Sequence, residues 1–264
     1  MLSSLPAPDP VAAEASAQLA RVIADEIRAR GGWISFARYM ELALYAPGLG
    51  YYSGGTHKFG DFAAGGDFVT APEITPLFGQ ALARQIAQIL PASSPRVIEA
   101  GAGSGRLAAD LLPALDALGC LPEHYDILEL SGSLRARQQA TLAEHAPQYL
   151  ERVSWLDELP ESFSGVLIGN EVLDAMPCHL LYQHAAHWLE RGVVADGAGF
   201  AWQDRPLADA SLAAAVLAHP LPDDYLTEVQ PAAQAFVRSL AGCMRQGVLL
   251  LVDAFEGAMP QTRF

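Results

Sequence analysis

Apolar residues recur along the chain with two spacings, and the two spacings predict different elements. In the N-terminal part they recur every three or four residues, which is typical of amphipathic helices at about 12–30, at about 35–45 and after Thr75. Short apolar runs farther along predict buried strands, at residues 97–98, 125–129, 153–156, 165–169 and 247–253. Helical segments separate these runs, so the sequence predicts an α/β fold in which two helices precede any strand and the sheet is mostly parallel and doubly wound.

A glycine-rich turn joins the first predicted strand to the helix that follows it. Gly101, Gly103 and Gly105 lie two residues apart, and a carboxylate, Glu99, ends the strand just before them. Such a loop lets backbone N–H groups and a helix N-terminus approach an anionic or polar ligand, because no Cβ stands in the way. The dinucleotide pattern G-x-G-x-x-G needs its third glycine at position 106, which is an arginine here. A tight turn without a ligand is the alternative interpretation.

The order acidic-x-G-x-G-x-G resembles the first motif of class I S-adenosylmethionine-dependent methyltransferases, whose glycines make room for the methionine and ribose portions of the cofactor. Segments before this loop are similar to the signature of the MidA-like family, namely Tyr39-Met40, Gly50-Tyr51-Tyr52, Phe59-Gly60, Gly66-Asp67-Phe68, Thr70-Ala71-Pro72-Glu73 and Phe78-Gly79. Members of that family are S-adenosylmethionine-dependent methyltransferases, and the mitochondrial ones act on an arginine of a respiratory complex I subunit during assembly. The resemblance covers the chain from about Ser35 to Asp253 and implies a Rossmann-like methyltransferase fold.

Two further strand ends carry candidates for the cofactor site. Glu129 ends the second predicted strand, where nucleoside-binding α/β folds place a carboxylate that accepts hydrogen bonds from both ribose hydroxyls. A solvated acid at a strand end is the alternative. The resemblance to class I methyltransferases implies that Leu156 and Asp157, at the end of the third strand, flank the adenine. The family signature adds three more residues to the predicted cofactor site: Thr70, Pro72 and Glu73.

The segment after the fourth predicted strand carries the candidate catalytic residues Asn170, Glu171 and Asp174, which resemble the family's Asn-Glu-x-x-Asp-x-x-Pro element. Ligands of open α/β sheets bind beyond the carboxyl ends of the strands, so this segment is expected to face the same crevice as the glycine loop. If the segment is helical, its two carboxylates turn to one side and suit the rigid donor fork of a guanidinium. They would orient an arginine nitrogen toward the sulfonium methyl and take up its proton. Alternatively, Asp174 caps the next turn and only Glu171 reaches the substrate.

Short β-like runs between Cys178 and Trp202, broken at Arg191-Gly192 and at Asp196-Gly197, predict a small antiparallel meander. Three histidines lie in this stretch, at His179, His184 and His187. Their spacing fits no common zinc pattern and no cysteine or carboxylate completes one, so we expect ordinary strand histidines and no metal site.

The predictions divide the chain into two parts. Residues 1–90 are expected to hold the N-terminal helices and a stretch rich in glycine and aromatic residues, 47–78, that we interpret as a lid or binding loop. Residues 91–264 are expected to form the S-adenosylmethionine-binding Rossmann-like domain, with an insertion at about 178–225. Family members continue from the fifth strand into Asp-Tyr-Gly and the last two strands of the sheet. Here Asp253 is followed by Ala-Phe-Glu, so we expect those C-terminal strands to be missing.

Composition narrows the class of protein. The 264 residues, of which 51% are hydrophobic, are enough for one large α/β domain with a buried core. A net charge of -14 argues against a nucleic-acid partner and suits a cationic partner or simply solubility. Three widely spaced cysteines indicate neither a disulfide framework nor a cysteine zinc site. No run of about 18 apolar residues and no signal or transit peptide is recognisable, so we expect a cytoplasmic protein without a membrane span.

The resemblance therefore favours an S-adenosylmethionine-dependent methyltransferase that modifies an arginine side chain of a protein, such as a respiratory complex I subunit. A non-catalytic assembly factor or chaperone that only binds the cofactor stays open, and it would tolerate Glu171→Ala without loss of function. A nicotinamide-dependent oxidoreductase would need the glycine spacing that Gly105-Arg106 denies. A serine hydrolase would need a G-x-S-x-G elbow, which Ser104 lacks. The oligomeric state is left open.

Overall fold

The computed structural model describes residues 10–53, 70–185, 187–197, 199–217 and 221–253. Contacts within the chain group it into two compact units, which are Met1–Gly55 with Met176–Gln234, and Thr56–Ala175 with Ala235–Phe264. This grouping differs from the predicted division between residues 90 and 91. The N-terminal helices group with the β-rich segment that we expected to be an insertion, and the helix before the glycine loop groups with the parallel sheet.

The helices and strands of the described residues have the following bounds. In chain order they are α1 (Pro10–Ala29), β1 (Ile34–Ser35), α2 (Phe36–Tyr45), α3 (Ala71–Ile74), α4 (Leu77–Ile89), β2 (Arg96–Ala100), α5 (Arg106–Ala117), β3 (His124–Leu128), α6 (Gly132–His145), β4 (Val153–Leu156), β5 (Phe163–Asn170), β6 (His179–His184), β7 (His187–Asp196), β8 (Gly199–Pro206), α7 (Ala210–Leu217), β9 (Leu226–Val229), α8 (Pro231–Cys243) and β10 (Met244–Val252). Short 3-10 turns follow α4 and α6, at Leu90–Ala92 and Pro147–Arg152.

Within the described residues, the second unit is built on a five-stranded sheet in the order β10-β5-β2-β3-β4. Each neighbouring pair in this order runs parallel. The strand before the glycine loop, β2, therefore lies in the middle of the sheet. The predicted mostly parallel sheet is confirmed, and all five predicted strands occur in it.

Both faces of this sheet are covered by apolar side chains from helices. On one face Val97 packs in a core that includes Leu111 of α5, and on the other face Ile98 packs in a core that includes Leu240 of α8. Successive residues of a strand point to opposite faces, so one apolar run contributes side chains to both cores. The sheet is doubly wound, as the helical segments between the strands predict.

The first unit combines α1 and α2 with an antiparallel sheet in the order β1-β7-β6-β9, in which β8 pairs with β7. The predicted cap of α2 is confirmed, since the Ser35 hydroxyl accepts a hydrogen bond from the N–H of Arg38 at 3.2 Å. Ile27 of α1 and Val193 of β7 are buried in the same core. This sheet therefore supports the N-terminal helices.

Two predictions for the first unit are wrong. A strand lies between the first two helices, because Ile34 pairs with Val193 and Ser35 pairs with Gly192. The chain does not break at Arg191-Gly192, since β7 runs through these residues. A Cβ at Gly192 would lie 2.2 Å from the carbonyl oxygen of Ile34, so this glycine permits close strand pairing and does not form a turn. The predicted antiparallel meander is confirmed, because β6, β7 and β8 pair antiparallel in chain order, and its sheet also includes β9.

Helix α4 begins where Thr75-Pro76 predicts, and the Thr75 hydroxyl accepts a hydrogen bond from the N–H of Leu77 at 3.3 Å. Leu77 is nevertheless 66% exposed and not on the inner side as expected. It lies about two and a half turns before the buried Ile86, at about 3.6 residues per turn, and so faces the opposite side of the helix.

Two predicted features lie outside the described residues. They are residues 54–69, which form half of the predicted lid or binding loop, and the residues after Asp253. Among the helices that the structure describes, none is both long and apolar enough to cross a membrane.

Candidate functional site

The glycine loop leaves the C-terminal end of the central strand β2. Gly101, Gly103 and Gly105 have φ angles of 66°, 53° and 85°, in the left-handed region that favours glycine. At Gly105 space is also restricted, because a Cβ there would lie 3.0 Å from the Cα of Gln138. The predicted tight turn is confirmed, and its backbone is held in a shape that side chains would disturb.

Ser104 links this loop to the family signature segment before α4. Its hydroxyl accepts a hydrogen bond from the N–H of Arg106 at 3.2 Å and donates one to the carboxylate of Glu73. Glu73 lies in the short helix α3, for which Thr70 is the N-cap residue and in which Pro72 is buried. Of the three predicted signature residues, Glu73 thus contacts the glycine loop directly.

Glu99 lies in β2, just before the glycine loop, and is 2% exposed. The hydroxyl of Tyr125, on the neighbouring strand β3, donates a hydrogen bond to its Oε2 at 2.6 Å. Burial raises the pKa of Glu99 to about 7, although the hydrogen bond from Tyr125 opposes this shift. Burial and the nearby Glu99 together raise the pKa of Tyr125 well above its ordinary value. A carboxyl that exchanges its proton near neutral pH therefore lies inside the sheet core.

Glu129 follows β3 at the same edge of the sheet. Its Oε1 accepts a hydrogen bond from the backbone N–H of Ser131 at 2.9 Å, and its Oε2 accepts one from Nε2 of Gln138 at 3.1 Å. The start of the glycine loop is joined to the same strand, because the N–H of Gly101 donates to the carbonyl oxygen of Leu128 at 3.3 Å. The carboxylate predicted to bind ribose and the glycine loop thus leave adjacent strands.

Gln138 is a residue that sequence reasoning missed. It is 0% exposed, and its side-chain amide contacts Glu129, the carbonyl oxygen of Gly103 and the indole of Trp155. The available signal was its position on α6, four residues before the buried Leu142, where a polar side chain faces the core. A buried amide at such a position needs hydrogen-bond partners, so Gln138 could have been predicted as a candidate residue of the site.

Arg135, also on α6, joins the ends of β3 and β4. Its Nε donates to the carbonyl oxygen of Glu129 at 2.7 Å, and its Nη2 donates to the carbonyl oxygen of Leu156 at 2.8 Å. Nη2 also lies 2.7 Å from Oδ1 of Asp157, whose side chain is 87% exposed. The structure thus brings Leu156 and Asp157 next to Glu129, and Arg135 is a second residue that the sequence analysis missed.

The turn after β5 brings together the predicted catalytic residues, but the segment is not helical. Asn170 is the last residue of β5 and pairs with Val252 of β10. Glu171 has a φ of 51°, and its N–H donates to the carbonyl oxygen of Val252 at 2.7 Å. Because Glu171 takes a left-handed conformation, it begins a tight turn and cannot start a helix. Glu171 and Asp174 were expected to turn to one side if the segment were helical. The segment is not helical, so this condition is not met.

Asp253, at the end of β10, holds this turn. Its Oδ1 accepts hydrogen bonds from the N–H groups of Leu173 at 3.0 Å and of Asp174 at 3.2 Å. From the sequence, Asp253 is recognisable only as the end of a predicted strand. Its position in register with the end of β5 is what brings it to the site.

Three carboxyl groups influence one another at this turn. Burial raises the pKa of Glu171, and the negative charges of Asp174 and Asp253 raise it further. Desolvation and the charge of Asp253 also raise the pKa of Asp174, against the backbone N–H groups of Asp174 and Ala175, which lower it. The cluster therefore favours an incoming cation, and the carboxyl groups of Glu171 and Asp174 bind protons more readily than isolated ones do.

The three histidines of the first unit each have a separate partner. His179 Nδ1 lies 2.7 Å from Glu190, His184 Nδ1 lies 2.7 Å from Asp224, and His187 Nδ1 lies 2.9 Å from the carbonyl oxygen of Ala185. Within the described residues, no group of three or more histidine, cysteine or acidic side chains is arranged to hold a metal ion.

The strand order and the loops at the C-terminal edge define the class of fold. Numbered along the chain, the parallel strands follow the order fifth, fourth, first, second, third, with the glycine loop after the first and an acid after the second. This is the class I methyltransferase fold. The model of a family described as "putative S-adenosyl-L-methionine-dependent methyltransferase" matches residues 81–258, more than half of the chain. The chain belongs to this family, and the resemblance recognised in its sequence is confirmed.

One relative of known structure and two curated relatives support this family membership. A Burkholderia thailandensis protein, solved with bound S-adenosyl-homocysteine, is 53% identical with a TM-score of 0.87, and the match covers 94% of this chain and 65% of that one. The mitochondrial "protein arginine methyltransferase NDUFAF7 homolog" of Caenorhabditis elegans is 29% identical over 198 residues, or 67% of this chain and 46% of that protein. The Danio rerio protein arginine methyltransferase NDUFAF7 is 31% identical over 185 residues, or 60% and 43%. The chain spans less than half the length of these curated relatives.

Proposed function

We propose that the chain binds S-adenosylmethionine at the C-terminal edge of its parallel sheet and forms the cofactor-binding part of a protein arginine methyltransferase. The observation that carries this proposal is that a glycine loop in left-handed conformation and Glu129 follow two adjacent strands, β2 and β3. Membership of the family and the bound S-adenosyl-homocysteine in the Burkholderia protein support it.

Glu129 is suited to bind the two ribose hydroxyls. A carboxylate offers about four lone-pair positions, two on each oxygen. The hydrogen bonds from Ser131 and Gln138 occupy one position on each oxygen, which leaves one on each for a hydroxyl. We assign the adenine to the neighbouring strand end, at Leu156 and Asp157.

The remaining cofactor residues surround the methionine portion in this proposal. The positive φ angles of Gly101, Gly103 and Gly105 let the backbone approach the ligand without a side chain in between. Glu73 supports the loop through Ser104, while Thr70 and Pro72 shape the short helix that carries it. We assign Glu99 an indirect role in cofactor binding, because its carboxyl is buried next to the loop and pairs with Tyr125.

The turn after β5 supplies the chemistry for an arginine acceptor. Asp174 and Asn170 would orient the guanidinium beside Glu171, whose carboxylate can accept two of its N–H groups. The guanidinium nitrogen attacks the methyl carbon, so a C–N bond forms while the S–C bond breaks and S-adenosyl-homocysteine leaves. The proton released from that nitrogen passes to Glu171, whose raised pKa favours its uptake.

The acceptor and the compartment are proposed from the relatives. The curated relatives are named mitochondrial protein arginine methyltransferases, and the MidA-like resemblance points to an arginine of a respiratory complex I subunit. The Burkholderia relative is bacterial and more similar, so we propose a bacterial-type protein that acts in the cytoplasm. A net charge of -14 suits a basic acceptor segment.

Methyl transfer from labelled S-adenosylmethionine to purified complex I subunits tests this proposal. Glu171→Gln keeps the shape of the side chain and removes the proton acceptor, so we expect a loss of about a hundredfold or more in rate. Glu151→Gln, an exposed change outside the site, is the matched control. Cofactor binding without methyl transfer, together with full function of Glu171→Gln in complex I assembly, would instead favour a non-catalytic assembly factor.

A further inference from the structure

We propose that Gln138 is a positioning residue for the cofactor, which fixes the carboxylate of Glu129 relative to the glycine loop. This inference rests on the proposed function, because it takes Glu129 as the ribose ligand. Gln138 itself does not touch the cofactor in this account. It acts through the orientation of Glu129 and of the peptide group at Gly103.

The hydrogen bonds of Gln138 leave its amide only one orientation. Its Nε2 donates to the carbonyl oxygen of Gly103 and to Oε2 of Glu129, both at 3.1 Å. Its Oε1 accepts a hydrogen bond from Nε1 of Trp155 at 2.8 Å. An indole N–H can only donate, while a carbonyl oxygen and an ionised carboxylate can only accept. A flipped amide would therefore lose all three hydrogen bonds.

These contacts fix two groups that the cofactor would meet. Oε2 of Glu129 is held by Gln138 and Oε1 by the N–H of Ser131, so the plane of the carboxylate is set before a ligand arrives. The carbonyl oxygen of Gly103 points to Gln138, so the N–H of Ser104 in the same trans peptide points to the opposite side. Preset groups lose less conformational entropy on binding, which raises affinity.

The packing around Gln138 is equally specific. Its side chain is 0% exposed, and a Cβ at Gly105 would lie 3.0 Å from its Cα. The helix α6 thus lies directly against the loop, and no water is needed to bridge the two. A buried amide with both N–H groups and its oxygen paired is costly to disturb, because each broken hydrogen bond leaves a buried polar partner.

Two substitutions separate the hydrogen bonds of Gln138 from its volume. Gln138→Met keeps nearly the same length and shape but removes both the donors and the acceptor oxygen. Gln138→Glu keeps the shape and replaces the donors by an acceptor, which would face the carboxylate of Glu129 and the carbonyl oxygen of Gly103. Gln139→Met, the exposed neighbour on the same helix, is the matched control.

The test is calorimetric titration of each variant with S-adenosyl-homocysteine and with its 2′-deoxyribose analogue. We expect Gln138→Met to weaken binding of S-adenosyl-homocysteine about tenfold, and Gln138→Glu about a hundredfold. Binding of the 2′-deoxy analogue is expected to change less, because one of the hydroxyls that Glu129 would bind is absent. In a Glu129→Ala background, Gln138→Met is expected to cause only the smaller loss that comes from the peptide group at Gly103.

The outcomes distinguish this inference from the proposed function. If the unmodified chain binds S-adenosyl-homocysteine but Gln138→Met binds both probes equally well, or loses both by the same factor, the positioning role is contradicted. If the unmodified chain is folded and does not bind, the proposed function itself fails and the inference falls with it. Should Gln138→Met not fold, Trp155→Phe removes the donor to Oε1 and is expected to give a smaller loss with the same dependence on the ribose hydroxyl.

Discussion

At the scale of single residues, Asp253 combines two roles at the turn that carries the candidate catalytic residues. Its carboxylate holds the N–H groups of Leu173 and Asp174, and its charge raises the pKa of Glu171 and of Asp174. The first role needs an acceptor oxygen, whereas the second needs a negative charge. The two roles can therefore be separated by substitution.

Asp253→Asn is expected to keep the turn and to lower the pKa of Glu171 and Asp174, because the amide oxygen still accepts hydrogen bonds while the neighbouring negative charge is gone. Asp253→Ala loses both and is expected to cost about 2 kcal/mol in the free energy of unfolding. Carbon-13 NMR titration of the carboxyl groups measures the first effect, and urea unfolding measures the second. Equal pKa values in Asp253→Asn and the unmodified chain would contradict the assigned role of the charge.

The buried carboxyl of Glu99 makes the stability of the fold depend on pH. Its pKa is about 7 in the folded chain, against an ordinary value of 4.5. Between these values the folded state keeps a proton that the unfolded state releases, so stability is highest below the lower pKa and falls as the pH rises toward the upper one. The loss amounts to about 3 kcal/mol and is complete above the folded-state pKa.

Glu99→Gln is expected to remove this part of the pH dependence, because the amide stays neutral and can still accept the hydrogen bond from Tyr125. Urea unfolding at pH 5 and at pH 8 provides the comparison, with the exposed Glu123→Gln as the control. A decrease in stability between the two pH values that is the same in both variants would contradict the assignment to Glu99.

At the scale of helices and strands, elements with an apolar run or a cap residue were predictable, whereas an element with neither was not. Strand β4 matches its predicted bounds, Val153–Leu156, and α2 begins after Ser35 as its cap predicts. Strand β1 is two residues long and carries no period, so only its pairing with β7 reveals it. Gly192 indicated a turn from its residue type alone. In the structure a glycine is needed at this position because β1 approaches closely.

This explanation predicts different effects for two glycines of the same β-ribbon. A Cβ at Gly192 would lie 2.2 Å from the carbonyl oxygen of Ile34, whereas a Cβ at Gly199 would meet only the carbonyl oxygen of Asp196 at 3.8 Å. We expect Gly192→Ala to lower the free energy of unfolding by about 2–3 kcal/mol and Gly199→Ala to change it little. Thermal unfolding followed by circular dichroism compares them, and a similar small effect in both would contradict the pairing of β1 with β7.

At the scale of the whole molecule, the parts of the site that a motif carries were predictable, and the parts that tertiary packing assembles were not. The glycine loop and Glu129 follow strands in a fixed order, so their spacing along the chain is informative. Gln138 and Arg135 reach the candidate site because α6 packs against the glycine loop and the strand ends, and Asp253 reaches it because β10 pairs in register with β5. The hydrogen bonds that make them important have no sequence period.

The grouping of the chain into compact units could not be predicted for the same reason. The segment 176–234 pairs with the N-terminal 55 residues through β1 and β7, which are distant in sequence. Apolar spacing relates only residues that are near one another in sequence, so the predicted boundary lies near residue 90. Pairing between strands that are distant in sequence leaves no local signal.

The measurement that tests the central claim most directly is calorimetric titration of the chain with S-adenosylmethionine and S-adenosyl-homocysteine, beside Gly103→Val and the reduced nicotinamide cofactors. Gly103 has a φ of 53°, which a β-branched residue adopts only with strain, so the variant should distort the loop. We expect micromolar binding of both methionine-derived ligands, about -8 kcal/mol, lost in Gly103→Val, and no binding of the nicotinamide cofactors. A folded chain that binds neither ligand, or that binds them equally well with valine at this position, would contradict the account.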